Sequence, residues 1–304
     1  MNKPRRAPRR RVDGVLLLDK PQGMSSNAAL QKARWLFNAE KAGHTGTLDP
    51  MATGLLPLCF GEATKFSSTL LDADKTYEAT VKLGIVTDTC DAEGKVLATH
   101  PVTITEADAL AVLPRFTGEI EQVPPMYSAL KREGKPLYEL ARQGIEVERA
   151  ARRVTIHAMD MLAWRGDTFD LRVVCSKGTY IRTLAADIGD ALGCGAHLSA
   201  LRRTRVDNLE ITQAVTIETI ETLPAEQRDS LLQPADALLA ELPAEHLNEA
   251  DAARLLQGLP IRWKGMPSCQ RRLFGPQGFI GLGECSEDGW LKPKRLIATR
   301  AASN

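Results

Sequence analysis

Hydrophobic positions along the chain fall into short runs whose period switches between two and about 3.6, and the expected elements follow from that switch. Gly14-Val15-Leu16-Leu17-Leu18 is a continuous apolar run closed by the turn Lys20-Pro21-Gln22-Gly23, which predicts a short buried strand. Ala29, Leu30, Ala33, Leu36 and Phe37 then recur at helical spacing behind Ser25 and Ser26, either of which can cap a helix. A Gly- and Thr-rich loop is expected from Ala42 to Gly54, and a second helix from about Ala63 to Leu71. Between 75 and 86, Tyr77, Ala79, Val81, Leu83 and Ile85 alternate with Thr76, Glu78, Thr80 and Lys82, the pattern of a half-buried strand. Thr105-Glu106-Ala107-Asp108 has the form of a capping box. A strand over Phe169–Cys175 leads through Ser176-Lys177-Gly178-Thr179 into a helix. Ile181, Leu184, Ala185, Ile188, Ala191 and Leu192 form its apolar face, and Gly193 sits at its stop.

The spacing of these elements sets the organisation. Residues 1–12 carry Lys3, Arg5, Arg6, Arg9, Arg10 and Arg11 with little apolar content, so they read as a basic mobile arm with order beginning near Asp13. Residues 13–245 form the main domain. Within it, residues 122–153 hold Pro124-Pro125, Lys131, Arg132, Lys135, Arg142, Arg149, Arg152 and Arg153, with Tyr127 and Tyr138 interleaved. This is a basic insertion able to lie along a phosphate backbone, or a solvated loop and helix. Residues 223–250, rich in Pro, Ala, Glu and Asp, read as linker plus connecting helix. Beyond Gly258-Leu259-Pro260 come short strands at Arg271–Phe274, Gly278–Glu284 and Gly289–Leu296, which suggests a β-barrel-like module over 246–304. Mixed helices and strands without a steady βαβ rhythm argue for an α+β fold.

Composition narrows the function classes. The 304 residues are 43% hydrophobic and 25% charged, and 39 Lys+Arg against 38 Asp+Glu leave a net charge of +1. Any polyanion partner is therefore met by local patches rather than by a global field. No run of about 18 apolar residues is present to cross a membrane. The basic N-terminus is followed by only Val15–Leu18, too short for the core of a signal peptide, so the cytoplasm is expected. Cysteines at 59, 90, 175, 194, 269 and 285 form no C-x-x-C and no zinc-finger spacing with His, which implies reduced thiols and no metal. No dimerisation stripe is visible, so a monomer is expected.

Three segments depart from routine packing. In Gly43-His44-Thr45-Gly46-Thr47-Leu48-Asp49-Pro50-Met51-Ala52-Thr53-Gly54, Asp49 is the only carboxylate between Glu40 and Glu62. It is a candidate site carboxylate, or alternatively the cap of a helix beyond Pro50. His44 is a candidate site residue or a satisfied structural histidine. In Asp74-Lys75-Thr76-Tyr77, Tyr77 is either core or a stacking platform for a base at a strand mouth. In Ser176-Lys177-Gly178-Thr179-Tyr180-Ile181-Arg182, an arginine at a helix start gains nothing from the macrodipole, so Arg182 either has a carboxylate or phosphate partner or is simply solvent-exposed. No P-loop, dinucleotide fingerprint, nucleophile elbow or metal-ligand set is present.

Taken together, GVLLLDKPQGMSS, GHTGTLDPMATGLLP, DKTY, CSKGTYIRTL and GCGAHLSALRR resemble, in order and spacing, the bacterial tRNA pseudouridine-55 synthases of the TruB family. The likeness runs from Asp13 to about Arg205, and a weaker one links the C-terminal module to the family's PUA-like RNA-binding domain. The resemblance implies a pseudouridine-synthase fold with a mixed, largely antiparallel central sheet flanked by helices. It implies isomerisation of a uridine in the T-loop of tRNA, after the base is flipped out, by rupture of N1–C1′ and rejoining through C5, with no cofactor. It also implies Asp49 as the catalytic aspartate, Arg182 as the ion-pair partner that lowers its pKa, and Tyr77 as stacking residue and general base. His44, Tyr180 and Leu201 match positions lining the target nucleotide, and Lys20 one that supports the catalytic loop. The alternatives are a non-catalytic tRNA-binding or tRNA-folding protein on the same scaffold, and a DNA-binding factor, for which helix-turn-helix and zinc signatures are lacking.

Overall fold

A computed structural model describes residues 8–298 apart from Ala129, Glu133 and Pro267, and the side chains of Lys131, Arg132, Pro136, Tyr138 and Arg142 also lie outside the description. Lys3, Arg5 and Arg6 of the expected arm, and the basic side chains just named in the insertion, therefore lie outside the described residues.

The first half of the chain contributes β1 (Gly14–Lys20), α1 (Ser26–Leu36), β2 (Ala42–His44), β3 (Thr53–Phe60) and β4 (Lys75–Leu83). A small hairpin of β5 (Ile85–Thr87) and β6 (Val96–Thr99) follows, then α2 (Glu106–Val112) and β7 (Gly118–Gln122). A second hairpin, β8 (Lys131–Arg132) with β9 (Lys135–Pro136), precedes α3 (Leu137–Arg142). The long pair β10 (Arg152–Trp164) and β11 (Thr168–Cys175) leads to α4 (Ile181–Ala191), β12 (Ala196–Val206), β13 (Leu209–Glu210) and α5 (Ile217–Thr222). The C-terminal part holds β14 (Ala244–His246), α6 (Glu249–Leu256), β15 (Ile261–Arg262), β16 (Gln270–Gly275), β17 (Gly278–Cys285) and β18 (Trp290–Leu296).

A nine-stranded sheet runs β1-β3-β12-β4-β11-β10-β7, with β2 on β3 and β13 on β12. Every pairing in it is antiparallel except β12 with β3. The mixed, largely antiparallel α+β sheet expected above is thus present. Its burial explains the sequence texture. β1 is apolar on both faces because Leu16 and Leu18 enter the main core while Val15 and Leu17 enter a second one. β4 alternates because Tyr77, Ala79, Val81 and Leu83 face the main core and the intervening residues do not. Each fully buried Leu contributes about 1.5–3 kcal/mol, so a strand covered on both sides anchors the sheet most firmly. The helix α1 starts at its Ser25 cap, whose side chain accepts from the Ala28 N–H, and the Thr105–Asp108 capping box of α2 is reciprocal.

Four expectations are corrected. The helix over Ala63–Leu71 is instead two 3₁₀ turns, Gly61–Phe66 and Thr69–Leu71. The hydroxyls of Thr64, Ser67 and Thr69 donate to the carbonyls three residues back, Gly61, Thr64 and Phe66, which supports the tighter winding over an α-helix. The mobile-arm reading ends before Arg10. The Arg10 N–H donates to the Asn38 carbonyl, its guanidinium grips Asp229, and Val12 is buried. The expected boundary between 245 and 246 cuts through β14, which pairs with β16 from Ala244 onward. The C-terminal strands, at the positions expected, form an open sheet, β14-β16-β17-β18-β15, rather than a closed barrel. That sheet packs on the main one: Leu282 shares the second core with Val15 and Leu17, and Phe279 meets Phe66 edge-on at 5.6 Å. Among the described residues no helix is long and apolar enough to cross a membrane.

Candidate active site

The Asp49 loop is built on the turn that follows β1. Buried Ser26 both donates to the Leu48 carbonyl (3.0 Å) and accepts from the Leu48 N–H (2.7 Å). The Gly23 N–H donates to the Pro50 carbonyl at 2.8 Å. Lys20, wholly buried, donates from Nζ to the carbonyls of Pro21 (2.8 Å), Met24 (2.6 Å) and Pro50 (3.4 Å), so one ammonium ties the turn to the loop. No helix follows Pro50; the chain makes a turn there and the Asp49 carbonyl accepts from the Ala52 N–H. Helix capping therefore does not explain Asp49. The loop's far end closes on β12. Gly54 has φ +100, and a Cβ on it would lie 2.3 Å from the Arg203 carbonyl oxygen. Only glycine permits that contact, and the close approach is to a neighbouring strand rather than to a ligand.

Opposite stands the start of α4. Tyr180 is its N-cap, held from two sides by Gln122: the Tyr180 N–H donates to Gln122 Oε1 (3.0 Å), and Gln122 Nε2 donates to the Tyr180 carbonyl (3.3 Å). Gln122 is also the register partner of Arg152, so the two ends of the basic segment 122–153 meet beside the helix start. Arg182, the second residue of α4, is buried at 4% exposure. Its Nε lies 3.0 Å from Asp49 Oδ2 and its Nη1 3.3 Å from Asp91 Oδ2, while Nη2 donates to the Tyr127 carbonyl at 2.6 Å. The carboxylate partner expected for this arginine is thus doubled.

A cavity of about 240 Å³ opens over this group, with Asp49, Tyr77, Tyr180, Arg182 and Leu201 in its wall. Lys20 and His44 are not in that wall; His44 stands on β2, with its Nδ1 buried and without a partner. Tyr77 is not at a strand mouth. It is the third residue of β4, flanked by Val173 of β11 and Arg203 of β12, and its side chain reaches the cavity from the core face.

Asp49 keeps 36% of its side-chain exposure while Arg182 and Asp91 keep 5% and 4%, so the carboxylate is open to the cavity and the groups that hold it are not. Burial pushes the Asp49 carboxyl above its ordinary value; Arg182 pulls it down, Asp91 pushes it up and Lys20 pulls it down. Arg182 therefore acts in the expected direction, but the net shift in the empty site is upward because burial prevails. Burial raises the Tyr77 phenol as well, against the pull of Arg203. Burial also pushes the Lys20 ammonium down to about 8.

Sequence reading missed three contributors. Asp91 lies in Asp88-Thr89-Cys90-Asp91, which looks like an ordinary polar turn. Arg203, buried at 2%, donates from Nε to the Leu55 carbonyl at 2.8 Å and stands beside Tyr77 in the cavity wall. Its signal was strand alternation, two residues beyond Leu201 on the same face. Gln122 carried no signal. Among the described residues no three His, Cys, Asp or Glu side chains gather in a metal-binding arrangement.

The family models agree with this architecture. The TruB family pseudouridylate synthase N-terminal domain matches residues 34–181, the tRNA pseudouridylate synthase B C-terminal domain 182–240, and the pseudouridine synthase II TruB C-terminal domain 243–297. The tRNA pseudouridine synthase B of Azoarcus sp. (strain BH72) is 62% identical over 296 residues, which cover 97% of this chain and 98% of that protein. That of Dechloromonas aromatica (strain RCB) is 59% identical over 288 residues, covering 95% and 96%. A chain in the crystal structure of a Cbf5–Nop10–Gar1 complex superposes with a TM-score of 0.70 at 26% identity, over 94% of this chain and 85% of that one. The fold is that of the pseudouridine synthases, a class of isomerases. The chain belongs to the TruB family of these enzymes.

Proposed function

We propose that this protein is a cytoplasmic tRNA pseudouridine synthase that isomerises uridine-55 in the T-loop, with Asp49 as the essential carboxylate and without a cofactor. The observation that carries the reading is the pairing of a cavity-facing Asp49 with a buried, doubly anchored Arg182. The kinship with tRNA pseudouridine synthases B supplies the substrate class.

In this reading the target base leaves the T-arm stack and enters the cavity over Tyr77. Unstacking costs a few kcal/mol, and stacking on Tyr77 together with phosphate contacts from segment 122–153 offsets it. Asp49 acts ionised, either at C1′, at C6 of the base, or in support of a glycal route. N1–C1′ breaks, the uracil turns, C5 bonds to C1′, the C5 proton leaves and N1 takes up a proton, so the product is an isomer of the uridine. Arg182 holds Asp49 in its ionised form and orients it; a buried pair of this kind is costly to desolvate, so its contribution is positioning rather than stability. Tyr77 accepts a proton only with the Arg203 charge opposing the burial of its phenol. Tyr180 and Leu201 shape the wall around the base. His44, away from that wall, contacts the RNA beside the target nucleotide, and Lys20 holds the Asp49 loop. Residues 1–12 and the C-terminal sheet, read as a PUA-like module, add RNA contacts to a monomeric enzyme.

Release of tritium from unmodified tRNA labelled at uridine C5 tests the reading. Wild-type protein releases one label per target uridine, and Asp49→Asn binds the RNA but releases none. Equal release by the two proteins overturns it, and RNA binding without release by either leaves the non-catalytic scaffold.

A further inference from the structure

Cys269 and Cys285 face each other at the end of the β16–β17 ladder. The register pairs Gln270 with Glu284, so the next residue outward on each side is one of these cysteines, and the Cys285 N–H donates to the Cys269 carbonyl at 2.7 Å. Residues opposed in this way have Cα atoms about 5.5 Å apart, inside the roughly 4.4–6.8 Å that a disulfide spans. The Arg271 guanidinium of β16 lies over the Trp263 ring at 4.6 Å. The two thiols differ in access. Cys285 is buried at 1% exposure and Cys269 is partly open.

We propose that Cys269 and Cys285 form a reversible redox pair that hydrogen peroxide closes to a cross-strand disulfide. Cys269, the open member, meets the oxidant. Its thiolate attacks one peroxide oxygen, the O–O bond breaks, and the departing hydroxide is protonated to water, leaving a sulfenic acid. The Cys285 sulfur then attacks the sulfenic sulfur. The S–S bond forms, the S–O bond breaks, and the hydroxide that leaves takes the Cys285 proton as a second water. The two thiols lose two electrons, and the peroxide accepts them. Burial keeps Cys285 a protonated thiol, at a value pushed up to about 11, so it acts only on a sulfenic acid formed beside it. A disulfide across a hydrogen-bonded strand pair is strained, and its Cys269 sulfur stays partly open to a reductant, which makes the step reversible.

The consequence is local. The Cys269 thiol donates to the Met266 carbonyl at 3.2 Å. Closing the disulfide removes that tie from the segment carrying Trp263, which stacks against Arg271 at 4.6 Å, and Met266, which is 76% exposed. The thiol state thereby sets how firmly this end of the β16–β17 ladder is held.

The full-length protein is treated with hydrogen peroxide, its free thiols are capped with iodoacetamide, and its peptides are mapped by mass spectrometry without reduction. A linked Cys269–Cys285 peptide lacking two hydrogens, reopened by dithiothreitol, is the expected result. In Cys285→Ser, shown to be folded by circular dichroism, Cys269 proceeds to sulfinic and sulfonic acid and no linked peptide forms. Iodoacetamide on both cysteines of the oxidised wild type overturns the proposal. So does over-oxidation of Cys269 at the same rate in the wild type and in Cys285→Ser.

Discussion

Arg182 Nη1 meets Asp91 Oδ2 at 3.3 Å in a layer where neither side chain keeps more than 5% of its exposure. The same guanidinium presents Nε to Asp49 at 3.0 Å. Asp91 is therefore a positioning residue: it fixes the plane of the cation that fixes the cavity-facing carboxylate, although it does not line the cavity itself.

Removing that support leaves a signature in the pH profile that a mere loss of folding does not. Asp91→Asn leaves Arg182 to reorient toward Asp49, and a misplacement of about 1 Å in such a site costs on the order of 10²-fold in turnover. Affinity for RNA is unchanged, so kcat falls with KM constant. Because Asp91 pushes the Asp49 carboxyl up, its removal lowers that value and moves the acid limb of the kcat profile to lower pH. Single-turnover rates across the acid range check both effects.

Tyr77 carries two separable roles. Tyr77→Phe keeps the ring and the core packing, so RNA affinity holds, while loss of the proton step reduces turnover by about 10²–10⁴-fold. Tyr77→Ala loses the stacking surface too, at about 1–3 kcal/mol per stacked base. Filter binding beside single-turnover kinetics separates the two variants.

Lys20 gives a pH dependence of stability with a definite sign. Its folded-state value of about 8 lies below the ordinary 10.5 of an unfolded lysine. Between those values the unfolded chain binds the proton more strongly, so the Lys20 contribution to the unfolding free energy rises with pH across that window. It has its full cost below about 8 and none of that cost above 10.5. Urea midpoints of the wild type and of Lys20→Met, compared across the window, should diverge in favour of the wild type as pH rises.

Between Ser176 and Gly178 of the cavity wall, Lys177 pairs with Asp72 at 2.7 Å and stays 61% exposed. Such a surface pair contributes little stability, and its cation is free to exchange partner for a phosphate. Lys177→Ala should leave the unfolding midpoint unchanged, weaken tRNA binding, and reduce the slope of log affinity against log salt by about 1. Binding isotherms at several salt concentrations read the slope directly.

The elements that sequence made legible are those decided locally. Alternation in β4, the apolar stripe of α4 and the Ser25 cap of α1 are visible in a window of a few residues. Asp49 and Arg182 stood out because a carboxylate in a Gly-rich loop and an arginine at a helix start each lack a local partner. What stayed hidden depends on distant contacts. Asp91 is buried against Leu198 and Arg182, and Arg10 is held by Asn38 and Asp229. Buried Arg203 reads as one more basic residue in Leu201-Arg202-Arg203 until β3 is laid beside β12. The 3₁₀ turns of 61–71 were masked by a composition that suits an α-helix, because hydroxyl-to-carbonyl bonds rather than apolar spacing decide the winding there.

The central claim is that Asp49, held by Arg182, isomerises one T-loop uridine. An unmodified tRNA transcript is incubated with wild type or Asp49→Asn, treated with carbodiimide, and copied by primer extension. The account predicts a single stop at uridine-55 with the wild type and none with the variant. A stop at that position with Asp49→Asn, or its absence with a wild type that binds the transcript, contradicts it.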